Sequence, residues 1–220
     1  MRIKEHLVNQ ARLVYIQKKS MGLLFYIPVA VNWILLPILT FLLYFRWGGG
    51  SFAAAEVLKL FQFFVPFFNS WWLILAFSEY IEGRGNELYY IAGRMKSGLA
   101  VLWIAIYFCL TGLPFVFYRI WLPTLGIEIL RIFIECIFFT GITYFLLFIT
   151  SSSASTLAVM LIYTTVSSFS TAPALQHLRY VCIEPWTLRL FLEKYCFFLV
   201  VGCVFFAGGM IANRKYRKYQ

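Results

Sequence analysis

Residues 132–150 read IFIECIFFTGITYFLLFIT, nineteen residues with one carboxylate, Glu135, and no base. As a helix this run rises roughly 28 Å at about 1.5 Å per residue, close to the ~30 Å hydrocarbon core of a bilayer. A barrel strand would alternate apolar and polar residues, and this run does not. In lipid the backbone must satisfy its own hydrogen bonds, so the run predicts a spanning helix. Working outward, similar runs occupy Met21–Phe45, Leu60–Phe77, Gly98–Tyr118, Thr156–Ser170 and Tyr195–Ala212. The run at 156–170 is short and rich in Ser and Thr, whose hydroxyls can bond helix carbonyls and face other helices.

Composition agrees with that reading. The chain is 62% hydrophobic and 13% charged, and it contains no aspartate. A soluble domain carries about a quarter charged residues. The expectation is an all-α integral membrane protein with six transmembrane helices. It divides into an interfacial amphipathic helix at 1–20, a six-span domain at 21–212 and a basic cytoplasmic tail at 213–220. Residues 1–20 place Ile3, Leu7, Ala11 and Val14 on one stripe, the pattern of a helix lying in the interface plane. The bland alternative is a solvated tail, and no cleavable signal is read there. Pro28 and Pro37 fall within the first span, and Gly48-Gly49-Gly50 marks an exposed turn after it. The residues Thr150–Ser155 (TSSSAS) make a tight polar turn.

An even number of spans puts both termini on one side. With the termini inside, the N-terminal tail holds five Lys and Arg, the loop after span two three and the C-terminal tail four. The seven outside are Arg46, Lys59, Arg119, Arg131, Arg179, Arg189 and Lys194. The bias follows the positive-inside rule, giving cytoplasmic termini in a multi-pass cell-membrane protein. The net charge of +10 then reads as topology and contact with anionic membrane lipids, with no nucleic acid as partner. Of the five cysteines none has metal-ligand spacing, and Cys182 and Cys196 can meet near the outer face. Trp71, Trp72, Trp103, Trp121 and Trp186 include candidates for interfacial belts. The segment 171–194 mixes apolar and polar residues, which predicts short helices half-sunk at the outer surface.

Catalytic constellations are missing. There is no glycine-rich loop ending in GK[ST] and no HExxH, and the two histidines, His6 and His177, lie far apart. The chain is therefore read as no enzyme, with no catalytic, metal or cofactor-binding residue of its own. One ionisable cluster stands near the membrane core: Glu128, Arg131 and Glu135, at helical spacings of three and four. It serves either as an ion-pair anchor, with Arg131 pairing both acids and snorkelling outward, or as an outer gate for a substrate.

The most polar internal stretch is Glu79–Lys96, EYIEGRGNELYYIAGRMK. Glu79, Glu82-Gly83 and Glu87-Leu88, followed by Ile91 and Gly93-Arg94, resemble the loop after span two in permease subunits of type-2 ABC exporters. The layout of the whole chain resembles that family too, while the motif covers about eighteen residues. The family often places a proline after Glu-Leu, where this chain has Ala92-Gly93-Arg94. The resemblance implies a half-transporter that pairs with a second permease copy or paralogue. It also implies a separate ATPase subunit, holding ATP and Mg, that docks on 79–96 as a coupling helix. On that reading Leu88, Ile91 and Met95 seat in a groove of the ATPase, and Glu82 and Glu87 make charge-assisted contacts at its rim. Gly83 and Gly85 would allow the tight path before that helix. The cargo class would be a hydrophobic or amphipathic compound, a peptide or a lipid-linked molecule. The competing reading is a non-transport membrane interaction protein, an immunity or assembly factor with no ATPase.

Overall fold

The computed structural model describes residues 2–83, 96–123, 125–170, 172, 176, 178–184 and 186–216. Among them the chain is helical, without strands. The helices are α1 (Arg2–Met21), α2 (Tyr26–Ala30), α3 (Leu36–Trp47), α4 (Gly50–Glu82), α5 (Lys96–Trp121), α6 (Leu125–Thr150), α7 (Ser153–Phe169), α8 (Leu188–Leu190) and α9 (Cys196–Tyr216). Among the described residues five stretches are long and apolar enough to cross a membrane: Ala11–Trp47, Gly50–Glu82, Gly98–Trp121, Leu125–Thr150 and Leu188–Asn213. The expected sixth span, at 156–170, corresponds to α7, which is shorter at 17 residues.

Two π turns connect short helices into long ones. Pro37 has no N–H to offer the preceding turn, and the register slips to a π turn at Val31–Leu35. Buried Asn32 in that turn donates from Nδ2 to the Pro28 carbonyl (2.9 Å) and to the Tyr107 hydroxyl (3.0 Å). The second π turn, Phe191–Tyr195, joins α8 to α9 and carries fully buried Tyr195. Between α3 and α4, Gly48, Gly49 and Gly50 all have positive φ, which a run of side-chain-bearing residues would not tolerate. That is the turn expected there.

Without a hydrophobic force between helices in lipid, packing and polar contacts decide association. α4 and α6 face each other along a polar line. Asn69 Nδ2 donates to Thr140 Oγ1 (2.9 Å) and to the Cys136 carbonyl (3.1 Å), and Thr143 Oγ1 donates to Ser70 Oγ (2.9 Å). Farther along α4, Phe77 meets Tyr144 edge to face at 5.6 Å. α6 meets α9 through glycine instead. A Cβ at Gly141 would overlap the Gly202 carbonyl oxygen, and one at Gly202 would stand 2.7 Å from Phe138 Cα. The two helices touch backbone to backbone.

The amino-terminal helix forms, and of its expected stripe Val14 faces inward, Ala11 does not, and the side chains of Ile3 and Leu7 lie outside the described residues. α1 is a separate helix, ending where Gly22 takes a left-handed φ of 55°. Its inward line, however, is Leu13, Val14, Gln17 and Met21, and Ala11 is exposed. Gln17, 2% exposed, donates from Nε2 to the Ala76 carbonyl (2.7 Å) and accepts from Trp103 Nε1 (2.7 Å). A polar residue thus defines the face by which α1 docks on α4 and α5. Trp72 and Trp103 are likewise interior, with Phe25 stacked on Trp72 at 4.8 Å, and belong to no surface belt. Replacing Gln17 with leucine leaves the Trp103 N–H buried without an acceptor. The expected cost is about 1–3 kcal/mol, read as a lower thermal midpoint of the purified chain. An unchanged midpoint would show that Gln17 does not hold α1.

The last helix, α9, continues to Tyr216 with no breaker after Ala212, so the basic tail expected from 213 starts in helical conformation. Cys182 and Cys196 are both half-buried and unbridged. Of the segment expected to hold short outer helices, Gln176 and Leu178 are in 3-10 conformation, the described residues from Arg179 to Thr187 are not helical, and from Leu188 the chain has joined the last long helix. The reason lies in what bonds its backbone.

Candidate functional site

α6 begins seven residues earlier than the apolar run suggests, so Glu128, Arg131 and Glu135 all lie within it. Glu135 stands roughly 15 Å along the helix from Leu125. Arg131 is fully buried and does not snorkel. Its Nη1 donates to the Cys182 carbonyl (2.6 Å) and its Nη2 to the Glu184 carbonyl (2.8 Å). Its Nε lies 2.9 Å from Glu128 Oε2, an ion pair rather than an aligned hydrogen bond. The rings of Tyr195 and Trp186 lie 5.2 and 5.7 Å from the guanidinium, within cation–π range.

The expected triad is therefore divided. Arg131 pairs with Glu128 and makes no ion pair with Glu135. Glu135 accepts from Gln62 Nε2 on α4 at 2.5 Å, and its other oxygen has no hydrogen-bond partner among the described residues. Gln62 in turn accepts the Cys182 N–H at its Oε1 (3.1 Å). Tyr180 N–H is taken by Ser167 Oγ (3.0 Å). Non-helical backbone beside a membrane core is tolerated when such partners satisfy it. That is why residues 180–184 need no helix. Burial pushes the phenol of Tyr180 well above its ordinary value.

Beside this pinned segment lies a cavity of about 980 Å³. Its apolar wall includes Leu42 and Leu43 of α3 and Phe63 and Phe64 of α4, and Phe169 at the end of α7 contributes to it. Its polar side carries Arg46, Lys59, Arg179 and Lys194 against Glu56 and Glu184.

Compared with family models, curated proteins and solved structures, the chain matches none.

At the opposite end of α4 stand the residues read as the root of a coupling element. Glu79 and Glu82 occupy its last turn, and Gly83 follows in extended conformation with its N–H bonded to the Glu79 carbonyl (3.2 Å). Glu82 does not extend into solvent alone. Its Oε1 accepts from Ser153 N–H and its Oε2 from Ser153 Oγ, both at 2.7 Å. Ser152 Oγ accepts from the Ser155 N–H (3.3 Å), so two free donors at the start of α7 are capped. A carboxylate there also suits the positive end of the helix dipole. Glu87, Leu88, Ile91 and Arg94 lie outside the described residues. The serine-rich stretch 150–155 reads as a tight polar turn, but nothing in sequence pairs it with Glu82. Gln62 and Tyr195 were missed because a single amide and a single phenol in apolar runs carry no spacing signal.

Proposed function

We propose that this chain is the permease subunit of an ATP-driven exporter of the type-2 ABC kind. A separate ATPase docks on segment 79–96, a second permease copy or paralogue completes the pathway, and both termini are cytoplasmic. ATP and Mg sit on the partner subunit. The cargo is a hydrophobic or amphipathic compound, a peptide or a lipid-linked molecule leaving the cytoplasm.

One observation carries the reading: the bidentate contact of Glu82 with Ser153. It ties the end of α4, where the loop begins, to the first residue of α7. The far end of α7, Ser168 and Phe169, borders the cavity, as does the near end of α4 at Glu56 and Lys59. A push on the loop is thus passed to two helices whose other ends shape the cavity. Switching access requires a second packing of these helices, with the ATPase supplying differential binding energy for one of the two.

Two substitutions separate docking from transmission. Glu87→Lys is expected to detach the ATPase from the tagged chain during gentle detergent purification. Glu82→Ala removes a helix cap worth about 0.5–2 kcal/mol; it is expected to keep much of the ATPase bound while lowering ATP-dependent efflux on the order of ten-fold. If the parent chain purifies without an ATPase from membranes that express one, the exporter reading fails and the interaction-protein reading replaces it.

A further inference from the structure

We propose that the cavity between α3, α4 and the pinned segment binds a single anionic membrane lipid, with its phosphate among the basic side chains and its acyl chain along the leucine and phenylalanine wall. The site needs no nucleotide and no ATPase, so it stands or falls apart from the exporter reading.

Charge is the first argument. Lys59 is engaged with Glu56. Arg46, Arg179 and Lys194 have no carboxylate within ion-pair distance among the described residues. Arg179 spends its Nε on the Ser167 carbonyl (3.0 Å), which aims the side chain and leaves its Nη donors free of any described hydrogen bond. Glu184 is exposed, with its carbonyl committed to Arg131. Four bases against two acids leave the cavity positive. Basic pockets between membrane helices suit phosphate head groups, and arginine matches their oxygens in a fork.

Shape and exposure commit the occupant to a lipid rather than a free phosphate. Leu42 lines the cavity and is also 57% exposed, so the apolar wall runs out onto the outer face of α3. That face continues through Ile38 (52% exposed) and Phe45 (65% exposed), on a stretch long enough to cross the membrane. A soluble anion would leave this wall unused. At about 980 Å³ the space lies at the upper end of the ~300–1,000 Å³ typical of small-molecule sites, which suits an amphiphile.

The test uses the full chain purified in dodecyl maltoside and equilibrated with equal amounts of phosphatidylglycerol and phosphatidylcholine. Retained lipid is then counted by native mass spectrometry. The expected result is one phosphatidylglycerol per chain, preferred about ten-fold, with the preference lost in the R46Q/K194Q pair. The R46K/K194R pair keeps both charges and is expected to keep the lipid. Equal retention of the two lipids, retention unaffected by R46Q/K194Q, or loss in R46K/K194R as well would each overturn the proposal. So would displacement of the lipid by glycerol 3-phosphate, which would assign the site to a free phosphate.

Discussion

Substituting Arg131 with alanine is expected to destabilise the chain by about 3–5 kcal/mol, the cost of leaving one member of a buried ion pair alone. Three losses coincide. Glu128, 7% exposed, loses its cation. The carbonyls of Cys182 and Glu184 lose their donors. The rings of Trp186 and Tyr195 lose the group that lies against both. Arg131→Lys keeps the charge but cannot fork across two carbonyls, so it should recover only part of the loss. Adding Glu128→Gln to the alanine variant removes the stranded carboxylate and is expected to return some of the stability. The non-additivity of that cycle measures the pair. Denaturant titration of the purified parent, Arg131→Ala, Glu128→Gln and the double variant closes the cycle, and Arg131→Lys is read alongside them. Parent-like stability of Arg131→Ala would mean that the segment 180–184 is held by something else.

The second large effect is expected at Gly141. Valine there would drive its Cβ into the Gly202 carbonyl oxygen, which is backbone and cannot rotate away. Separating α6 from α9 is the only relief, and it would also pull Gly209 off Tyr144 and Phe145. Overpacking typically costs about 1–3 kcal/mol, and a backbone-to-backbone clash belongs at the top of that range. Gly112→Ala is the matched control. A Cβ there meets only Ile129 Cδ1 at an ordinary 3.8 Å, and alanine is the better helix former by about 1 kcal/mol. Gly141→Val should therefore lower the thermal midpoint while Gly112→Ala holds or raises it. Equal behaviour of the two would show that close approach of α6 and α9 contributes nothing.

Particular residues show which parts of the architecture were legible beforehand. The run at 132–150 is apolar because lipid or protein surrounds it on every side, and that demand is written into composition. The glycine triplet at 48–50 announced its turn because three consecutive positive φ values need glycine. Glu128 and Arg131 were placed on one face because helical spacing is fixed at 3.6 residues per turn. Glu135 shares that face yet chose Gln62, 73 residues away in sequence, and no local rule contains that choice. The outer segment is hard to read for a related reason. Its mixed polarity resembles half-buried helices, but its polar backbone is satisfied by side chains from α4, α6 and α7.

What the sequence determined by itself is the solvent: long apolar runs oblige the chain to close its backbone bonds in helices. The tertiary structure decided the partners. It buried Arg131 against two carbonyls, set Gln17 between α4 and α5, and brought Glu82 to the start of α7. In lipid every apolar face is acceptable to its surroundings, so hydrophobicity says that helices cross but not which faces meet. That is left to a few polar atoms and a few missing Cβ atoms, whose energies depend on where a distant residue happens to stand.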